Sequence, residues 1–223
     1  MHHVGNQQRH RPSDAGQWIF TGDVQDHNRF DGDCAWCEKQ DLRLTFEVRQ
    51  AKADRARHVC QACIERVPLR MEHESRALGV QQWRDYLSEL AVRLMHRTCR
   101  DVLRNLLTHI DDPALQEVAV YFDRNVQLSP GRAATLLLAL SRSQLEVDPR
   151  IFEVQIRSAA HKQEFACLSE REKLAVWPVF SVTIQKRLIS LDLAPTAIRS
   201  RPYMPETPQK RAWERSGFAG PPG

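Results

Sequence analysis

The spacing of apolar positions changes from a strand period to a helix period along the chain. Leu42, Leu44, Phe46 and Val48 alternate with Arg43, Thr45 and Glu47, the two-residue period of a half-buried strand. Gln50 to Arg55 is polar enough to turn, and Arg57-His58-Val59 reads as the returning strand. Trp18-Ile19-Phe20-Thr21 predicts a short strand entering the same unit. From Met71 to about Leu193 the period is helical. Trp83, Leu87, Leu90 and Leu94 recur on one face, followed by Val102, Leu103, Leu106, Leu107 and Ile110 on a rotated one. That rotation predicts either a kink near Arg97 to Arg100 or a helix buried on two sides.

Start and stop signals divide the rest. Asp112-Pro113 and Ser129-Pro130 each place a capping residue before a proline suited to the first helical turn. The run Ala133 to Leu140 is apolar around much of its circumference and predicts the centre of a helical core. Phe152, Val154 and Ile156 alternate with polar residues and predict a strand, although Asp148-Pro149 just before them can equally cap a helix. Ser169 and Glu172 form a capping box leading to Val176 and Trp177, closed by Pro178, and Ser181 caps a helix from Val182 to Leu191. Trp83, Trp177 and Phe180 read as core or interface anchors.

The predicted fold class is therefore mainly α, with a small N-terminal zinc-binding β-hairpin module followed by a helical domain. The predicted divisions are a flexible arm over 1–17, a four-cysteine module over 18–70, a helical domain over 71–194 and a Pro-rich disordered tail over 195–223. Six of the twelve prolines fall in that last segment.

Length and composition fit this picture. The chain has 223 residues, 42% hydrophobic and 27% charged, enough for a real core and too apolar for wholesale disorder. It holds no uncharged apolar run of about 18 residues, so no membrane span or membrane partner is expected. The start Met1-His2-His3-Val4 lacks an apolar stretch, which predicts a cytoplasmic protein rather than a secreted precursor. The net charge of +4 is mild, but 26 of the 32 basic residues are arginine, the better bidentate partner for phosphate. A GC-rich genome accounts for the same bias.

The sharpest chemistry lies in the cysteines. Cys34, Cys37, Cys60 and Cys63 form two C-x-x-C pairs with 22 residues between them, while Cys99 and Cys167 stand alone. Two such turns brought together present the four thiolates of a closed structural zinc shell. Such a site contributes on the order of 10 kcal/mol to folding, more than Trp36, Leu44, Phe46 and Val48 supply alone. An iron–sulfur cluster also takes four cysteines. A redox C-x-x-C needs a βαβ setting that the pattern does not show, and a catalytic zinc needs an open position. His27 and His58 flank the module as alternative ligands to a cysteine; His58, two residues before Cys60, has the wrong offset for the same knuckle and reads as an exposed strand residue.

The order knuckle, hairpin, then a helix whose first turn carries the last ligands resembles the zinc-ribbon and treble-clef families, over residues 18–70 only. A short helix is expected at Ile64 to Val67, stopped by Pro68. Glu38 and Ile64 stand where glycine often follows the second cysteine of a knuckle. The whole layout is similar to small zinc-finger accessory proteins of plasmids and phages and to the small zinc-finger subunit of type IV CRISPR complexes. That resemblance implies a place in a nucleoprotein assembly.

Two basic groups are candidate phosphate contacts. Arg49, Lys52, Arg55 and Arg57 crowd the hairpin against one acid, Asp54. Arg93, Arg97, Arg100 and Arg104 are spaced 4, 3 and 4 apart and share one helix face. Guanidinium groups in such a row need anions over them, either phosphates or acidic residues of this chain or a partner. Phosphate-binding and nucleophile-elbow glycine motifs are missing. His161 and Glu164 alone make a weak acid–base pair, so no enzyme is predicted. The expected function is a non-enzymatic nucleic-acid-binding or nucleoprotein accessory protein. The alternative is a protein–protein adaptor braced by zinc, its basic rows meeting acidic partners.

Overall fold

A computed structural model describes residues 18–50, 55–66, 70–71 and 79–199. The expected arm, Lys52, the Val67-Pro68 helix stop and residues 200–223 lie outside them. The chain is mainly helical, with a small sheet unit on its N-terminal side.

The sheet contains β1 (Trp18–Asp26), β2 (Leu44–Gln50), β3 (Ala56–Val59) and β4 (Arg70–Met71) in the order β3-β2-β1-β4. β2 is the strand its alternation predicts: Phe46 and Val48 are buried. β3 returns antiparallel to it, with Val59 opposite Phe46. β1 extends well past the predicted four residues and pairs antiparallel with β2 from Trp18–Gln50 to Asp26–Leu44. A bulge interrupts that register between Phe20 and Val24, and Gly22 within it takes φ +93°, which glycine adopts without steric cost. β4 pairs parallel to the other edge of β1.

A short helix, α1 (Gln61–Ile64), follows β3. It starts three residues earlier than the sequence suggests, because Cys60 is its N-cap and the C-x-x-C itself forms the first turn. α2 (Val80–His109) then runs 30 residues without interruption. It solves the rotated-face problem by being buried on two sides. Trp83, Leu87 and Ala91 pack into the sheet core, while Cys99, Val102, Leu103 and Leu106 pack into a second, helical core. Trp83 fixes the first contact: its ring meets Phe20 edge-on at 5.6 Å and its Nε1 donates to the Ile64 carbonyl at 3.1 Å.

The second core gathers α3 (Pro113–Asn125), α4 (Pro130–Leu140), α5 (Ala159–Cys167), α6 (Glu170–Val176) and α7 (Val182–Ser190). α4 lies at its centre as predicted; Ala133, Ala134 and Leu136 are fully enclosed. Asp112 caps α3 by accepting from the Ala114 amide at 2.9 Å, and the Ser169–Glu172 capping box is formed. Past Pro195, within the segment that proline content assigns to the tail, α8 (Thr196–Arg199) is tied down by a bond from the Thr196 amide to Glu170.

One predicted element is corrected. Phe152, Val154 and Ile156 are buried while Glu153 and Arg157 are exposed, yet no strand forms there. Asp148 instead caps a single 3₁₀ turn, Pro149–Ile151, and the extended stretch that follows makes one isolated bridge, Val154 to Leu128. The alternation reports an extended chain laid over a helical core, with no neighbouring strand to extend the ladder.

Candidate metal centre

The Cys34–Cys37 turn precedes β2, and the Cys60–Cys63 turn follows β3, so hairpin closure brings the two together. Their four sulfurs all lie within 4.8 Å of one another. Tetrahedral coordination with metal–sulfur bonds near 2.3 Å places sulfurs about 3.8 Å apart. Cys37 Sγ and Cys60 Sγ are 3.7 Å apart, so the residues fit a bound metal ion.

Local backbone explains how each turn holds its sulfurs. The first is closed by the Glu38 amide donating to the Cys34 carbonyl at 2.9 Å, and Glu38 takes φ 58°. The glycine-favoured conformation is thus kept where the sequence has glutamate. The second turn is helical and needs no such residue: Cys63 and Ile64 amides both donate to the Cys60 carbonyl. The two turns are also tied directly, since the Cys60 amide donates to Cys34 Sγ at 3.1 Å and the Ala35 amide to the His58 carbonyl at 2.9 Å. Trp36, inside the first turn, packs edge-on against Trp18 at 6.0 Å, anchoring the knuckle to β1.

The sulfurs compete for protons. Hydrogen bonding from the Cys60 thiol and from backbone amides pulls Cys34 down to about 4 despite burial. The Cys60 thiol is held protonated by that same contact and by burial. Burial first, then the Cys37 thiol, pushes Cys63 up to about 12. Several clustered thiolates need a cation between them, which a metal ion supplies as it displaces the protons.

His27 and His58 take no part in this cluster. They bracket the buried Thr45 hydroxyl, His27 Nε2 at 2.8 Å and His58 Nδ1 at 3.4 Å. His58 is exposed on β3, as its position suggests. Among the described residues no second cluster of three or more metal-ligating groups occurs.

The hairpin arginines are split by the sheet. Arg49 shares a face with Glu47 and His58, whereas Arg57 opposes Val48 on the other face, with its guanidinium 6.0 Å from the Trp18 ring. Arg55, just before β3, is exposed. The α2 row is brought together as its spacing requires, and acids of this chain already meet most of it. Arg93 lies 3.8 Å from Glu89, Arg104 2.8 Å from Asp101, and Arg100 2.8 Å from Asp123 on α3. Asp123 is 23 residues away in sequence, so the spacing on α2 alone gives no sign of it. Arg97 is exposed and has no acidic partner among the described residues.

The row borders a groove of about 660 Å³ between the β1 bulge (Gly22 to Val24) and α2, where Leu90, Arg93, Leu94, His96, Arg97 and Arg100 form the opposite wall. Burial first, then Arg100 and Arg43, hold the His96 imidazole below its ordinary value. Glu164 is tied to the start of a neighbouring helix. Its Oε1 accepts from the Ser129 hydroxyl at 2.8 Å and the Gly131 amide at 3.0 Å, capping α4 from a neighbouring helix. Ser129 itself makes no side-chain cap bond.

Comparison with known protein families, with curated proteins and with solved structures finds no match. No helix among the described residues is long and apolar enough to cross a membrane.

Proposed function

We propose that this chain is a non-enzymatic, cytoplasmic accessory protein in which Zn²⁺ on Cys34, Cys37, Cys60 and Cys63 braces a nucleic-acid-binding body. The four-thiolate set is closed, which suits a structural ion and leaves no position for a substrate. The order of knuckle, β2–β3 hairpin and α1 supports the treble-clef likeness, and with it a role like that of small zinc-finger subunits of nucleoprotein complexes. Phosphate contacts fall to the α2 row, Arg93, Arg97, Arg100 and Arg104, with Arg49, Lys52, Arg55 and Arg57 of the hairpin as a second group.

The observation that carries this reading is Arg97. It stands exposed in the middle of a four-arginine row, beside an open groove, without an acid to neutralise it among the described residues. A specific observation favours the adaptor reading as well: Arg93, Arg100 and Arg104 already contact acids, so the row is partly spent within the chain. Salt titration of binding to random DNA and RNA separates the two. Nucleic-acid binding predicts affinity that falls steeply and log-linearly with salt. No binding at low salt would leave the adaptor.

A further inference from the structure

We infer that the groove between the β1 bulge and α2 holds one unstacked nucleotide of a single-stranded nucleic acid, with its phosphate on Arg97 and its base over the apolar floor. The inference rests on the nucleic-acid reading and makes it specific. The groove has two chemically distinct parts. Arg93, Arg97 and Arg100 line one wall with guanidinium groups, and Val24, Leu90 and Leu94 supply aliphatic surface beside them. Asp23 is the single carboxylate in the lining.

Each part selects the ligand differently. The planar guanidinium of Arg97 matches phosphate bidentately, and an acid partner does not compete for it. A bare inorganic anion or an acidic side chain would leave the apolar floor wet. A nucleotide covers both surfaces at once. His96, an aromatic ring in the same lining, offers a face on which a base stacks and ring nitrogens that donate or accept toward its edge. At about 660 Å³ the space falls within the 300–1,000 Å³ typical of sites that enclose one small organic group. A duplex must first unpair and unstack a base to send it into such a groove, a cost that a single strand largely avoids. Gly22 of the bulge lines the groove, and a Cβ built on it would have no heavy atom within 4 Å.

Fluorescence anisotropy on the zinc-loaded full chain tests this, using a short labelled oligothymidylate, an oligouridylate and a duplex of equal length at low salt. The single strands should bind more tightly than the duplex. Arg97→Glu should weaken single-strand binding about tenfold or more, while Arg171→Glu, an equal charge change at an exposed position on α6, should cost less than about twofold. Matching circular dichroism and metal content would show that both variants fold. A photoactivatable thymine analogue in the oligonucleotide should crosslink to residues 22–24 or 90–97. If the wild-type chain binds neither single strand nor duplex, the nucleic-acid reading and this inference fall together. If it binds, but the two variants are weakened equally, the duplex competes as well as the single strand, or the crosslinks map elsewhere, the groove assignment alone is overturned.

Discussion

Arg43, just before β2, and Asp26, at the end of β1, form a two-bond ion pair where the sheet unit meets the helices. Arg43 Nε lies 3.0 Å from Asp26 Oδ1 and Nη2 lies 3.2 Å from Oδ2. The same guanidinium donates to the Ile151 carbonyl at 2.7 Å and to the Met95 carbonyl at 3.4 Å, reaching the second core and α2. Burial alone would lower the Arg43 pKa, but Asp26 more than offsets it and the side chain stays charged. Cys99 completes the joint by donating to the same Ile151 carbonyl, its thiol pushed up to about 11 by burial.

Removing one member of this pair should therefore cost much more than a surface ion pair does. The Asp26 side chain is only 2% exposed, so Asp26→Ala leaves a half-buried cation uncompensated. We expect a loss of about 3–5 kcal/mol in urea unfolding of the metal-loaded chain, with much of it recovered when Arg43→Met is added. Equal losses for the single and double variants would contradict this account of the joint.

Trp83 couples the cysteine module to α2. It is 1% exposed, and its indole bonds to Ile64, the last residue of the helix that begins with the second cysteine pair. Trp83→Ala should cost about 3–5 kcal/mol and also weaken metal retention in a chelator competition. Trp83→Phe, which keeps the ring contact with Phe20 but not the Ile64 bond, should fall between.

Glu164 should behave as a helix cap. Glu164→Ala removes both bonds at the α4 N-terminus and should lower stability by about 1–2 kcal/mol, read as a fall in Tm. Gly131→Ala should cost less than Glu164→Ala: its Cβ would sit 2.7 Å from Glu164 Oε1, the tip of a flexible side chain that can shift, and alanine favours the helix.

The Ser169–Glu172 capping box sets a pH dependence. The Ser169 hydroxyl, then its amide, holds the Glu172 carboxyl below its ordinary value of 4.5. A lowered folded-state pKa stabilises the fold above pH 4.5 and gives that stability up as pH falls through the lowered value. Ser169→Ala should cost about 1 kcal/mol at pH 7. It should also flatten the loss of stability on acidification relative to wild type, as followed by urea midpoints across pH 3 to 6.

Much of this was legible in residue order. The cysteine spacing and the β2 alternation locate the module because thiolate chemistry and strand pleating impose short, local patterns. The caps at Asp112 and Ser169 are local for the same reason. What stayed hidden depends on partners far along the chain. Arg43 reads as an ordinary strand polar position and Asp26 lies beyond the strand that Trp18 to Thr21 predicts, until the helical core closes over them. The rotated face of α2 takes its meaning from two separate cores, and Asp123 reaches the arginine row only once α3 packs against α2. The alternation at Phe152 to Ile156 misled because burial on one side follows from any extended chain on a core, while a strand needs a neighbour to pair with.

Metal content is the most direct test of the whole account. The chain, purified without added metal and analysed by inductively coupled plasma mass spectrometry, should carry one zinc ion per molecule. Substituting Cys34 and Cys60 together with serine should abolish that signal and unfold the sheet unit. Clean wild-type protein that carries no metal, takes up none from a zinc-buffered solution and keeps its fold in chelator would contradict it.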